Sequence, residues 1–538
     1  MILQGSQCMI GEIPEFGFGE LLFEEKNTDC QILRLGSVTL RDYHDYMQKL
    51  EALQYTKVTE HTLGESVFAI YKKEEAALYL GYALKLKQLL LVGEFNSAYM
   101  KYLEEDGIAR LRGNPDSDPV SSQLTQIDLE EFGVSYLIRL CDGRFLIIDG
   151  GWYEEEADKL MEELRRQSSD DVPRIAAWII THPHCDHYRC FLSFCHKYGQ
   201  DVHIENILYH FPELADDSQK RYPGLGKMEE LAYCRRFEEA AAAFRVPIIR
   251  PHTGQIYEIA NARLEVLASP DDVCQYPCDV NVLSLVIRMT IEGQTILFCS
   301  DSQLETVKLA EKYGQYLKSD ILQIPHHGFN GGSVVCYKLI DPSVCLIPAN
   351  ENLFCRYMGY FSESNRTLLY DLHVQDVLIG GSQVIDMYDP KRQRTNWRKN
   401  IVVELPYVPR PNGKQLLFER TRELQKELGA KSWIFADMKW EECQFSILNP
   451  SFMKGTIYAS LYFEERADLI RDIKITVPGY TVSQIDFTDP ENIEGGALPY
   501  NRDSLASKGI PQGKRFTLHF LSETPIVIWG GKQPVYVR

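Results

Sequence analysis

Residues 175–187 read Ile175-Ala-Ala-Trp-Ile-Ile-Thr-His-Pro-His-Cys-Asp-His187. The apolar run 175–180 carries no charge and is bounded by a polar turn, the pattern of a strand buried on both faces. Directly after it, His182, His184, Asp186 and His187 fall within six positions. An imidazole needs a neutral nitrogen facing a metal, and a carboxylate needs a fixed oxygen. A tight turn at the end of a rigid strand supplies both. The spacing offers two ligand sets, His182 with His184 and Asp186 with His187, and so points to metal-dependent hydrolysis. The chain holds 13 histidines in 538 residues, so three within six positions is not a scatter effect. A structural zinc site would recruit paired cysteines. Cys185, inside the motif, has no CxxC-like partner.

Working outward, other strand-like runs end on polar residues in the same way. Phe145-Leu-Ile-Ile148 ends at Asp149-Gly-Gly151, and Thr295-Ile-Leu-Phe298 ends at Cys299-Ser-Asp301. Asp320-Ile-Leu-Gln-Ile-Pro325 ends at His326-His-Gly328. Strand ends are rigid while the loops beyond them vary, which is how layered α/β folds build sites. Helical patterns between these strands, including one with Leu160 and Leu164 on one face and one over about 226–244, give an α/β reading for 119–392.

Residues 1–95 read as a small α/β accessory domain. Thr39 caps a helix running to Leu53, with Asp42 three residues on as in a capping box. Strands are expected at 30–35, 66–71, 77–82 and 87–92. The Gly113-Asn-Pro-Asp-Ser-Asp-Pro119 cluster makes 96–118 a linker. Residues 411–538 read as a β-rich accessory domain, a helix over 416–428 followed by short strands such as 455–463, 473–477 and 515–520 with turn-rich gaps.

Composition narrows the partners. The formal net charge is -19, which argues against gripping bulk duplex DNA, since that needs a basic surface. A small or single-stranded phosphate ester remains compatible. No run approaches 18 uninterrupted apolar residues, so no membrane span is expected. Met1-Ile-Leu-Gln-Gly-Ser-Gln-Cys8 lacks the pattern of a signal peptide, and the 14 scattered cysteines fit reduced thiols. Both lead to a cytoplasmic expectation. Oligomeric state is not legible.

The stretch from about 120 to 390 resembles the metallo-β-lactamase superfamily. The resemblance is carried by Asp149 after an apolar strand, Thr181-His-Pro-His-Cys-Asp-His187, Ser300-Asp301 and Pro325-His-His-Gly328. The last motif, with Asn281-Val-Leu-Ser-Leu-Val286, is similar to the nuclease-type domain of bacterial competence DNA-uptake proteins and related phosphodiesterases. The resemblance implies an αββα sandwich with two divalent ions at one edge, zinc as the first expectation and manganese or iron as others. It implies that His182 and His184 bind one ion, that Asp186, His187 and His326 bind the second, and that Asp301 bridges them. Asp149 would hold a ligand in place from behind, and His327 would contact substrate. Asp186, Asp301 and His327 would be the catalytic set, with a bridging hydroxide as nucleophile.

Two departures stand out. The loop before 284–288 reads Cys278-Asp-Val-Asn-Val-Leu283 where the family commonly has a histidine, so Asn281 or Asp279, or His252 from another loop, is the expected stand-in. Tyr188 and Arg189 replace small residues and are expected to narrow the pocket. The implied function is a binuclear metal-dependent hydrolase, most readily of a phosphodiester. A lactone, lactam or thioester hydrolase, and a metal-stabilised binding scaffold without catalysis, are the alternatives.

Overall fold

The computed structural model describes residues 13–538 except 114–117, 130–132, 214–217, 227–229, 274, 304–305, 330, 351–362, 381–399, 420–430, 440–441, 443, 450–454, 464–468, 478–480, 488–514, 523–525, 531–535 and 538. The chain forms two compact units. The first comprises 1–351, 361–382 and 396–415, and the second comprises 352–360, 383–395 and 416–538.

The first unit opens with a six-stranded antiparallel sheet. Its order is Glu20–Lys26, Cys30–Gly36, Gln88–Phe95, Ala76–Ala83, Ser66–Lys73 and Thr56–Leu63. The helix Leu40–Ala52 covers one face, and its start is set by the expected capping box: Asp42 N–H donates to Thr39 Oγ1, and Thr39 N–H donates to Asp42 Oδ2. Successive strand residues point to opposite faces. Leu33, Leu35, Leu89 and Leu91 therefore meet Tyr43, Tyr46 and Leu50 of the helix. Their neighbours Ile32, Leu90 and Val92 enter a different and larger core. This sheet is thus buried on both sides.

Two eight-stranded sheets share that larger core. In the first, Phe145–Asp149, Arg174–Ile180, Ile207–Tyr209 and Ile248–Ile249 run parallel. In the second, Gln294–Phe298, Ile321–Gln323, Val344–Asn350 and Asp376–Gly380 run parallel. Tyr136, Ile138, Leu146, Ile148 and Ile179 of one sheet join Leu264, Val266, Ile287, Ile296 and Phe298 of the other. The outer face of the first sheet, including Ile147, Trp178 and Ile180, packs under the helices Glu156–Gln167, Cys185–Tyr198 and Glu230–Ala243. The fold is α/β, with two sheets face to face and helices outside, plus a β-rich remainder.

Trp178 fixes this layering where the site begins. Its ring makes edge contacts with Phe191 at 4.8 Å and Phe194 at 5.1 Å, each such pair adding about 0.5–1.5 kcal/mol beyond burial. Its indole N–H donates to Asp149 O at 3.1 Å, tying the ends of two neighbouring strands together.

The segment 96–118 supplies Ala109–Arg110, which pairs with Ile256–Ile259 at the edge of the second large sheet. Residues 114–117 of its turn cluster lie outside the described residues. In the second unit, a five-stranded and a three-stranded antiparallel sheet share a core containing Phe435, Phe445, Phe487 and Phe520. The helix expected over 416–428 lies outside the described residues from 420 on. No helix among the described residues is long and apolar enough to cross a membrane.

Candidate metal centre

Parallel strands deliver their C-terminal ends to one edge of a sheet, where α/β folds gather ligands. Here that edge collects Asp149, the turn 181–187, Asp301 and the turn 326–328. Four residues of these turns are left-handed: Asp149 at φ 59°, Ser300 at 50°, His326 at 49° and His327 at 53°. Such conformations cost about 1–3 kcal/mol each in non-glycine residues and concentrate at functional sites. Gly151, at φ 94°, completes the first turn; a Cβ there would sit 2.5 Å from Glu156 Oε2, which accepts the Trp152 and Tyr153 N–H groups.

Two donor clusters result. The first is Asp186, His187, Asp301 and His327, with the donor atoms all within 4.8 Å of one another. His327 Nε2 lies 3.0 Å from Asp186 Oδ2 and 3.4 Å from Asp301 Oδ2. His187 Nε2 lies 3.3 Å from Asp301 Oδ1. The second is His182, His184 and Asp301. His182 Nε2 is 3.0 Å from His184 Nδ1 and 3.8 Å from Asp301 Oδ2. Asp301 belongs to both. Donors about 2.0–2.2 Å from a common tetrahedral ion stand about 3.4 Å apart, and the separations here run from 3.0 to 3.8 Å. His187 Nε2 and Asp301 Oδ1 are buried and make no hydrogen bond, two polar atoms that a bound ion would satisfy. The donor set, all nitrogen and oxygen, suits a borderline divalent cation.

A lattice of hydrogen bonds holds these donors from behind. His187 Nδ1–H donates to Asp149 Oδ2 at 2.8 Å, which aims Nε2 into the cluster. Thr181 N–H donates to Asp149 Oδ1 at 2.8 Å, and Thr181 Oγ1 lies 2.8 Å from Asp149 Oδ2. Thr181 Oγ1 also meets Ser300 Oγ at 2.6 Å, and Ser300 Oγ meets His182 Nδ1 at 3.2 Å. The Cys299 and Ser300 N–H groups donate to Gln323 Oε1, fixing the turn into Asp301.

Charge follows the same pattern. Burial opposes a positive His187, but Asp301, Asp149 and Asp186 outweigh it and raise its pKa. Burial likewise opposes a charged Asp301, yet His327, His187 and His326 hold its carboxyl well below the usual range. Burial, then the neighbouring His187, pushes His182 down, so it stays a neutral imidazole. Burial raises Asp149 against the pull of His187.

Residues 129–270 match the sequence family described as the metallo-beta-lactamase superfamily. The match covers about a quarter of the chain and ends before Asp301 and the 326–328 turn. Three solved structures are similar in part. A candidate Zn-dependent hydrolase of the metallo-beta-lactamase superfamily from Thermotoga maritima is 12% identical, with 42% of this chain and 74% of that one covered at a TM-score of 0.21. The Anabaena sensory rhodopsin transducer is 17% identical over 19% of this chain and 81% of its own, at 0.15. The Thermotoga maritima protein 1070 is 15% identical over 20% and 90%, at 0.13. No curated protein matches the chain.

Within the matched stretch and the strands that follow it, most of the expected donors come together: His182, His184, Asp186, His187 and Asp301, with Asp149 behind them. The two histidines of the 326–328 turn are exchanged relative to the expectation. His327, expected on the substrate side, falls within the four-donor cluster. Its Nδ1–H donates to Pro348 O at 3.1 Å, which turns Nε2 inward. His326, expected as the ligand, stays at the rim with its side chain 23% exposed and Nε2 3.8 Å from Asp301 Oδ2.

His252 lies in neither cluster. It groups with His210 and Asp271, its Nδ1–H donating to Asp271 at 3.0 Å while Nε2 stands 3.4 Å from Glu94 of the six-stranded sheet. Asn281 sits on the short turn Val280–Leu283. That turn is joined to the motif by Leu285 N–H donating to Thr181 O, and by Asp301 N–H donating to Ser284 Oγ. Asn281 Oδ1 is buried and makes no hydrogen bond, so its oxygen is available as a donor. Tyr188 does not narrow a pocket: it is fully buried beside Phe211 and Phe237. Arg189 lies over the Tyr233 ring at 4.5 Å.

Sequence reasoning missed Gln323 and the Pro348 carbonyl. Gln323 carries a signal, a lone polar residue inside Ile321-Leu-Gln-Ile324. A backbone carbonyl carries none.

Proposed function

We propose that this protein is a binuclear metal-dependent hydrolase acting on a phosphodiester, a nucleotide or a short single-stranded nucleic acid. The observation that carries the reading is the pair of donor clusters sharing Asp301. His182 and His184, with Asn281 as a further oxygen donor, would hold one ion; Asp186, His187 and His327 would hold the other; Asp301 would serve both. Two bound divalent ions, zinc first among the choices, lower the pKa of water toward neutrality and neutralise charge on phosphoryl oxygens.

The chain's own groups do the rest. Asp149 holds a proton of His187 on Nδ1, so Nε2 is the nitrogen that faces the site and would exchange its own proton for a bound cation. The Pro348 carbonyl does the same for His327. Asp186, 18% exposed at its side chain, stands where it can orient and accept a proton from an attacking water. His326 is the substrate-side histidine: its partly exposed ring at the rim supports donation to a phosphoryl or leaving oxygen. The phosphodiester choice rests on the resemblance of Pro325-His-His-Gly328 and Asn281-Val-Leu-Ser-Leu-Val286 to the competence-protein type of domain, and the net charge of -19 supports a small or single-stranded substrate.

The test is hydrolysis of bis(p-nitrophenyl) phosphate by protein of known metal content, beside a panel of lactones and thioesters. Turnover of the diester in preference to the panel is expected. Turnover of acyl substrates alone would overturn the phosphodiester assignment, and no turnover of either by fully loaded protein would overturn the enzyme.

A further inference from the structure

A cavity of about 520 Å³ opens one strand away from the metal-binding turn and is used by nothing described so far. The strand Ile207–Tyr209, which pairs with Arg174–Ile180, ends in its wall, as does Ile248–Ile249. The helix Glu230–Ala243 contributes to the same wall, and the turn 27–29 and the end of Gln88–Phe95 face it from the six-stranded sheet. The volume falls within the range of small-molecule pockets, about 300–1,000 Å³. No residue of the two clusters that share Asp301 lines it.

Several polar side chains of this wall are left open by the fold. His210, at the end of its strand, is 5% exposed. Its Nδ1–H donates to Pro251 O at 2.9 Å, so Nε2, which makes no hydrogen bond, is the nitrogen left for the cavity. Burial pushes its pKa down to about 4, so the ring is neutral and Nε2 is an acceptor. A buried acceptor without a partner is uncommon in a finished fold. Tyr209 lines the cavity beside it, its ring held by Phe211 at 5.1 Å and Phe237 at 5.0 Å, and its hydroxyl makes no hydrogen bond.

Arg235 and Glu238 line the cavity from the helix. They stand about 4.5 Å apart along its axis, the spacing at which opposite charges on a helix ordinarily meet. Here they form no ion pair with each other or with any other group. Burial raises the half-buried Glu238 carboxyl against the pull of Arg250 and Arg235, as expected of a carboxylate with no counter-ion in contact. The other charges of the wall are engaged. Arg250 lies 3.1 Å from Asp29, Glu94 stands 3.4 Å from His252 Nε2, and Glu213 accepts from Thr28 Oγ1 at 2.7 Å.

We propose that this cavity binds a small zwitterion of the amino-acid class, an ammonium and a carboxylate on one short chain. Arg235 takes the carboxylate, and the Tyr209 hydroxyl donates to it. Glu238 takes the ammonium, and His210 Nε2 accepts a further N–H from it. A simple anion would leave Glu238 and the His210 acceptor unmet, and a simple cation would leave Arg235 unmet. One ligand with both charges satisfies all of them. The proposal is independent of the phosphodiester reading, because the donor clusters take no part in it.

Calorimetry on the intact, metal-loaded protein tests it, with glycine, L-glutamine, L-arginine, L-phenylalanine and γ-aminobutyrate as probes. Each probe that binds is compared with its N-acetyl form and its carboxamide form. At least one probe should bind, and each blocked form should bind about tenfold or more weakly, the size expected for losing a charge-assisted contact. Arg235→Gln should remove the preference for a free carboxylate, and Glu238→Gln the preference for a free ammonium. Arg236→Gln, at an exposed neighbour outside the cavity, should change neither. Circular dichroism confirms that each variant is folded. Amino acids also chelate metal ions, so the titration is repeated after the metals are removed, and affinity should stay within about twofold. Affinity lost with the metals would place the probe on the donor clusters and overturn the cavity site. No binding by any probe would overturn the ligand class, as would blocked forms that bind as well as free ones, or unchanged preferences in both variants. Each readout is binding, so a failure to hydrolyse any ester would count against the enzyme and leave this result standing.

Discussion

Asp149→Asn is the substitution from which most can be computed. Asp149 is fully buried, and its two oxygens accept from Thr181 N–H, Thr181 Oγ1 and His187 Nδ1–H at 2.8–3.0 Å. Asparagine keeps the shape and one oxygen but places an NH2 group where an acceptor stood. If the oxygen faces Thr181, the amide hydrogens face the His187 Nδ1–H, and two donors meet. His187 escapes either by moving its proton to Nε2, the atom that faces the cluster, or by turning its ring. Both outcomes remove the donor from the ion. Loss of a partner that orients a metal-binding histidine costs typically about 10–100-fold in metal affinity, or about 1.4–2.7 kcal/mol. The metal-free protein should lose a further 1–3 kcal/mol, roughly the cost of one buried polar group left unsatisfied. Competition with a chromogenic chelator reads the first quantity, and urea unfolding in the presence of chelator reads the second. Metal affinity within twofold of wild type, in a folded variant, would refute the reasoning that Asp149 acts through His187.

Two further outcomes follow from the same geometry. His327→Ala should cost one ion per chain by elemental analysis, whereas His326→Ala should keep full metal content and lose about 10²–10⁴-fold in kcat, the range for removing a group that transfers a proton; metal loss in the second variant and not the first would restore the sequence expectation. The His252 chain should tie stability to pH. Burial opposes charge on His252, but Asp271 and Glu94 outweigh it and raise its pKa from 6.5 to about 9. The stabilisation is therefore complete below about pH 6.5 and disappears as pH rises through about 9, with an upper size of about 3 kcal/mol at 1.36 kcal/mol per unit. On the acid side, burial opposes ionised Asp271, but His252 holds its carboxyl well below the ordinary range, so that share is present above about pH 3.8 and fades only in stronger acid. Urea midpoints at pH 6 and pH 9.5 for wild type and His252→Gln should converge at the higher pH; parallel lines would sink the assignment.

How much of this was legible in the chain varies with the physical origin of each feature. Local features were: the capping box at Thr39 and Asp42, the buried strand before His182, and the delivery of polar residues by strand ends all follow from residues close in sequence. Edge strands were less so. Glu20–Lys26 is mostly exposed, held by pairing to a single neighbour, and carries no apolar alternation to read. Thr56–Leu63, at the opposite edge, shows the same weakness. The choice between His326 and His327 was not legible at all. Both are left-handed neighbours in one turn, and what separates them is the Pro348 carbonyl from a different strand. His252 illustrates the same limit: a histidine in a turn-rich stretch gave no sign that its partners would be Asp271 and, from a sheet far back in the chain, Glu94.

The central claim is that Asp301 is shared by two metal sites. Elemental analysis of purified, chelator-free protein tests it most directly, on wild type and Asp301→Ala, with circular dichroism to confirm that the variant is folded. The account predicts two divalent ions per chain in the wild type and fewer than one in the variant. Two ions retained by Asp301→Ala, or none in a wild type offered zinc, manganese and iron in turn, would contradict it.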